Sequence, residues 1–154
     1  ALALAVMKAR KFSREDYSRF HPGGALGRSL MKVSEIMRSL KETATVDHKA
    51  TVKDALSAIT KQKTGAVFIV EGKKLLGVFT DGDLRRHIED DGLLKHKVTE
   101  IMTMPGKRIE GEHLASEAVK LVQEFRIGEL PVVNAQGELL GHVALKDLVS
   151  MHFM

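Results

Sequence analysis

The chain has 154 residues, 44% of them hydrophobic and 29% charged, the balance of a folded protein rather than a disordered one. No apolar run approaches the roughly 18 residues that span a bilayer, residues 1 to 6 lack the basic start of a signal peptide, and zero cysteines exclude disulfides, thiolate metal sites and cysteine nucleophiles. The formal charge of +4 is confined to the leader: residues 1 to 40 hold 8 Lys and Arg against 3 Asp and Glu, the rest 16 against 17, and with one Tyr, six Phe and no Trp to stack bases this argues against nucleic acid.

Residues 1 to 9 are rich in Ala and Leu and read as the end of a helix; the chain opens without Met, as a fragment would. Ser13-Arg14-Glu15-Asp16 has the form of a capping box and predicts a short helix over residues 14 to 20. His21-Pro22-Gly23-Gly24 breaks it, because Pro22 disfavours helical geometry at the residue before it. Val33-Ser34-Glu35-Ile36-Met37 then returns 65 positions later as Val98-Thr99-Glu100-Ile101-Met102, so a repeat unit starts here.

In the first copy Val52, Ala55, Leu56 and Ile59 follow the i, i+3, i+4, i+7 pattern of an amphipathic helix, as do Ala115, Ala118, Val119 and Val122 in the second. Gly65 leads into Ala66-Val67-Phe68-Ile69-Val70 and Gly128 into Leu130-Pro131-Val132-Val133, short β-branched runs that predict strands. Turns carrying Gly72 and Gly137 connect these to Leu75-Leu76-Gly77-Val78-Phe79 and Leu139-Leu140-Gly141-His142-Val143 as hairpins. A second helix should follow each hairpin, over roughly 81 to 89 and 145 to 152. The unit reads lead-in strand, helix, strand, strand, helix. Two halves of this size are each marginal alone and should share a core.

Each copy passes from strand into helix through a similar junction, Gly77-Val78-Phe79-Thr80-Asp81-Gly82-Asp83-Leu84 and Gly141-His142-Val143-Ala144-Leu145-Lys146-Asp147-Leu148. Backbone amides at such a helix start can meet an anion. Thr80 and Asp83 are also spaced as a capping box. The second copy has Ala144 in place of Thr80 while Asp147 persists, which leaves a lone carboxylate in the first helical turn. Arg85, Arg86 and Lys146 stand where they could neutralise phosphates, or simply be solvated. No pair among the seven His has the helical spacing of a zinc site, and Asp81-Gly82-Asp83 lacks the Gly and distant Glu of a calcium loop, so no metal is expected.

This order, with VSEIM and VTEIM at the heads and GVFTDGDL and GHVALKDL at the tails, resembles a pair of cystathionine-beta-synthase (CBS) domains. The resemblance implies an α+β fold: two β-α-β-β-α units in a pseudo-two-fold, Bateman-type module after a short helical leader, with boundaries at 1–31, 32–96 and 97–154. It implies a nucleotide in the cleft between copies. Thr80 and the first-turn amides would hold its phosphate, Asp83 its ribose diol, and Gly65, Ala66, Gly128 and Glu129 its base, with Arg85 and Lys146 near phosphate and Asp147 in a degenerate second site.

The leader Phe20-His21-Pro22-Gly23-Gly24-Ala25-Leu26-Gly27-Arg28 looks like the end of the sugar-isomerase (SIS) domain that precedes a CBS pair in D-arabinose 5-phosphate isomerases. That resemblance implies a C-terminal fragment of a cytoplasmic, homotetrameric enzyme that interconverts D-ribulose 5-phosphate and D-arabinose 5-phosphate for Kdo and lipopolysaccharide. His21 would be the parent's catalytic residue, and the fragment by itself should be inactive. The expected partners are AMP, ATP or CMP-Kdo as regulatory nucleotide, the chain's own N-terminal isomerase domain, and a second CBS pair in a dimer. No cofactor is required, and neither nucleic acid nor membrane is expected. Two alternatives stand beside this: a ligand-free structural pair that holds the oligomer together, and a CBS pair from another enzyme or transporter.

Overall fold

A computed structural model describes residues 24–104 and 106–154; the helix expected over 14 to 20 and His21 lie outside them. The described chain begins with helix α1 (Ala25–Leu30), the single turn α2 (Val33–Ile36) and a two-residue strand β1 (Arg38–Ser39). The lead-in, expected as a strand, is therefore mainly helical. Val33 and Ile36 both point inward, and residues three apart share a face on a helix but not on a strand.

The first copy continues as β2 (Thr45–Asp47), α3 (Val52–Gln62), β3 (Ala66–Glu71), β4 (Lys74–Thr80) and α4 (Asp81–Arg86). The second repeats it as β5 (Ile109–Glu110), α5 (Ala115–Phe125), β6 (Glu129–Val133), β7 (Leu139–Ala144) and α6 (Leu145–Ser150). Helices α4 and α6 are shorter than the sequence reading. His87, at φ −117° and ψ 11°, ends α4, where its Nδ1 meets the Asp83 carbonyl; beyond α6, His152 takes φ 64°.

The long helices differ at their starts. Thr51 and Asp54 exchange bonds, the Thr51 amide reaching Asp54 Oδ2 at 3.0 Å and the Asp54 amide reaching Thr51 Oγ1 at 3.2 Å. At the equivalent place Leu114 has no oxygen to offer, so only its amide is served, by Glu117 at 2.9 Å. Leu114→Ser would complete the box and stabilise the protein by about 1 kcal/mol. A urea melt checks this: the midpoint rises at unchanged slope, and an unmoved midpoint refutes it.

Strands form a three-stranded sheet, β2-β3-β4, and a four-stranded sheet, β1-β7-β6-β5. In both, the short strand after the lead-in runs parallel to the next strand, which then turns back antiparallel through a hairpin. Gly72 and Gly137 take positive φ at the hairpin tips. The tips bond to each other reciprocally, Leu75 amide to Gly137 carbonyl at 3.1 Å and Leu139 amide to Lys73 carbonyl at 2.8 Å.

Reciprocity also governs the core. Val33 and Ile36 of the first lead-in pack among Ile109, Ala118, Val122, Leu130, Val143 and Leu148 of the second copy. Val98 and Ile101 of the second lead-in pack among Val52, Ala55, Val67, Ile69 and Phe79 of the first. Behind them β1 pairs with β7, Arg38 opposite His142, and Thr103 bridges Val78 in β4. The halves share a core by exchanging their lead-ins, and a third cluster of Ala66, Phe68, Leu75, Val133 and Leu139 joins the two sheets. Among the described residues no helix is long and apolar enough to cross a membrane.

Candidate ligand-binding clefts

The exchange brings the starts of β3 and β6 together, where the Gly65 amide donates to Glu129 Oε1 at 2.7 Å. A cleft opens on either side, and Gly65, Gly128 and Glu129 line both. The first, of about 630 Å³, adds Ala66, Thr80 and Gly82 from the first copy and Thr103, Lys107, Phe125 and Arg126 from the second. The second, of about 580 Å³, adds Lys63, Ala144, Leu145, Lys146 and Val149.

Asp83 lies beneath the first cleft, only 2% exposed. Its Oδ2 accepts the Thr80 amide at 2.9 Å and the Thr80 hydroxyl at 3.3 Å; its Oδ1 accepts the Thr103 hydroxyl at 2.8 Å and a nitrogen of Arg86. Half of the expected capping box is therefore made, because the Thr80 hydroxyl donates to the carboxylate instead of accepting from the Asp83 amide. Of these partners Thr103 and Arg86 are exposed, the Arg86 side chain to 63%.

Arg85 is exposed and lines neither cleft, whereas its neighbour Arg86 lines the first and Lys146 the second. The first cleft also carries two cations that the sequence did not mark. Lys107 extends over the Phe125 ring, 4.1 Å from its centre, and Arg126 ends α5 in the left-handed conformation, φ 52°. Among the described residues neither is paired with a carboxylate. Lone basic residues with no periodic neighbours leave no pattern to read.

Glu129 stands between the clefts. Burial pushes its carboxyl pKa up, against the opposing pull of the Gly65 and Ala66 amides, and its Oε2 is buried without a partner. Such a group can accept from a base amino group, or donate when protonated.

The second junction is arranged differently. Ala144 offers no hydroxyl, and both oxygens of Asp147 are taken by Arg38, Nε to Oδ2 at 2.6 Å and Nη2 to Oδ1 at 2.9 Å. This forked bond holds the Asp147 carboxyl below its ordinary range and raises Arg38. Among the described residues no cluster of His, Asp and Glu could hold a metal.

Two matched units, exchanged lead-ins and paired junction clefts describe a repeat module, and a model of the CBS domain matches it over residues 33–90 and 98–152. The chain belongs to the CBS domain family. This CBS pair is 37% identical over 153 residues to arabinose 5-phosphate isomerase KdsD of Francisella tularensis and 40% identical over 149 residues to arabinose 5-phosphate isomerase GutQ of Escherichia coli. The alignments cover 98% and 96% of the chain but 47% and 46% of those proteins, so the chain spans about half the length of the curated relatives it matches. The pair is homologous to the C-terminal region of these isomerases. Among solved structures it is similar to CBSX2 in complex with AMP (TM-score 0.70, 23% identity, 79% of this chain and 96% of that one). It is likewise similar to a CBS domain pair/ACT domain protein of Thermotoga maritima (TM-score 0.67, 24% identity, 80% and 97%).

Proposed function

We propose that this CBS pair is the regulatory part of an arabinose 5-phosphate isomerase and that it receives a nucleotide in its first cleft. The observation that carries the reading is the first cleft itself: a junction hydroxyl, Thr80, over a buried carboxylate, Asp83, with Arg86, Lys107 and Arg126 around them. Arg86 is already paired with Asp83, and it is Lys107 and Arg126, not paired with a carboxylate among the described residues, that favour an anionic ligand. Thr80 and the first amides of α4 would take a phosphate. Asp83 would receive ribose hydroxyls once Arg86 swings toward that phosphate, and Gly65, Ala66, Gly128 and Glu129 would face the base. An adenine nucleotide fits this arrangement, as does a cytidine nucleotide sugar such as CMP-Kdo, the kind of end product that would report on the pathway.

A route from the cleft to the leader supports regulation. The Ala115 amide at the start of α5 donates to the Met31 carbonyl at 2.8 Å, and the other end of α5 delivers Phe125 and Arg126 to the cleft. These 11 residues span about 16 Å. A ligand that shifts Arg126 would move the helix that holds the leader, and this couples to activity only if the two positions differ in ligand affinity. In the parent enzyme, His21 would act in ring opening or proton transfer. The chain by itself would turn over no sugar phosphate, and the whole protein would work in the cytoplasm as a homo-oligomer.

Calorimetric titration with AMP, ATP, CMP and CMP-Kdo tests the reading. Saturable binding is expected, abolished by Asp83→Ala and weakened at least tenfold by Arg126→Glu, whose side chain is on the rim rather than in the core. No heat up to about 1 mM, where binding is worth only about 4 kcal/mol, would leave the ligand-free structural role as the working account. Exposed Ile88, Val149 and Met151 favour that second reading, since apolar side chains bared beside α4 and along α6 suit contact with another copy.

A further inference from the structure

The repeat relates the two clefts and isolates one difference between them. Thr103 follows the second lead-in as Arg38 follows the first, 65 positions earlier. Each crosses to the opposite copy at an equivalent place, Thr103 on Val78 and Arg38 on His142. Each also touches the junction carboxylate it finds there. Thr103 gives Asp83 one hydroxyl bond, while Arg38 gives Asp147 two charged ones.

Asp83 also meets an arginine, but the two arrangements are not alike. Arg86 reaches Asp83 through one nitrogen with its side chain 63% exposed, free to follow a phosphate. Arg38 is fixed by the sheet pairing of its own backbone, fits the carboxylate as a fork, and is 26% exposed against a 20% exposed partner. Ribose hydroxyls arriving in the second cleft would have to displace a stronger partner already in place, with no Thr80 counterpart to help.

We propose that Arg38 stands in for a ligand at the second junction carboxylate, which makes this pair a one-ligand receptor: a nucleotide enters the first cleft, and the protein's own cation answers Asp147. The inference rests on the first cleft being a nucleotide site, and the two can fail separately. Titration calorimetry with AMP would compare the full 154-residue chain with the double variant Arg38→Thr/Ala144→Thr, which gives the second cleft the hydroxyls of the first. Stoichiometry should rise from one to two per chain, and adding Asp83→Ala to the double variant should return it to one. A wild type that binds two, or a double variant with no added site up to about 1 mM AMP, overturns the inference. A wild type that binds nothing while the double variant binds one refutes the nucleotide reading of the first cleft, and with it the count of one, while supporting Arg38 as the group that keeps a ligand from Asp147. Because loss of Arg38 could unseat β1, the Arg38 Nε–H resonance is followed in the wild type as well. It should hold its position at saturating AMP, and its release from Asp147 would overturn the proposal even if the double variant fails to fold.

Discussion

Gly141→Ala should lower the melting temperature by roughly 6 to 12 °C, a loss of about 3 kcal/mol. A methyl group at Gly141 would overlap the carbonyl oxygen of Arg38 and stand 3.2 Å from its carbonyl carbon. Backbone cannot swing aside as a side chain can. Strand β1 would have to leave β7, taking with it the fork between Arg38 and Asp147 and loosening Val33 and Ile36 from the second core. The equivalent glycine of the first copy, Gly77, would place its methyl 2.7 Å from Met102 Sδ and 2.8 Å from the Thr103 carbonyl. Its partner segment touches β4 at a single bridge, so Gly77→Ala should cost less. Thermal melts of the two variants side by side decide the matter, and a Gly141→Ala melt within about 2 °C of wild type would show that β1 is not held as described.

His142 should make the protein acid-sensitive over a defined window. The ring is fully buried in β7, at the position where the first copy has Val78. Thr43 Oγ1 lies 2.7 Å from His142 Nδ1 and donates its only proton to the Ser39 carbonyl at 2.8 Å, so Nδ1 carries the ring proton. Nε2 is then a buried acceptor without a partner, and a second proton there would find nothing to bond. Burial, with Arg38 nearby as the next cause, depresses the pKa from 6.5 to about 4. Above pH 6.5 both folded and unfolded rings are neutral and the residue adds no pH dependence. As pH falls from 6.5 toward 4 the unfolded chain binds a proton that the folded one refuses, so stability falls, by about 3 kcal/mol in all. Below that range both states are charged and the loss levels off. His142→Val should remove this limb while leaving the steeper acid losses of paired carboxylates such as Asp147, which titrate lower. Urea melts at pH 7, 6, 5 and 4.5 should show the two proteins diverging, and parallel curves would mean that the ring is charged or solvated in the folded state.

The repeat was legible because it is written locally. Val52, Ala55, Leu56 and Ile59 announce α3 by spacing alone, and the runs after Gly65 and Gly128 announce β3 and β6, since an element that buries one face must repeat its apolar residues at its own period. The same register set Thr80 beside Asp83 and exposed the loss of a hydroxyl at Ala144. The lead-ins misled as strands because four residues are too few for a period, and their helical turn is imposed by the cores that receive Val33, Ile36, Val98 and Ile101.

What the tertiary structure alone decided lies in contacts between distant residues. Arg38 and Asp147 are 109 positions apart, and nothing near either one signals the other. Lys107, Phe125 and Arg126 become the rim of one cleft because α5 and the second lead-in converge there, and Arg85 yields to Arg86 because one residue along α4 changes the face. Composition and spacing determined that this chain is a folded pair of matched units with a strand-to-helix junction in each. Which partner each junction carboxylate receives from the opposite copy was decided by the exchange of lead-ins, because that exchange brings the Thr103 hydroxyl to Asp83 and the Arg38 guanidinium to Asp147.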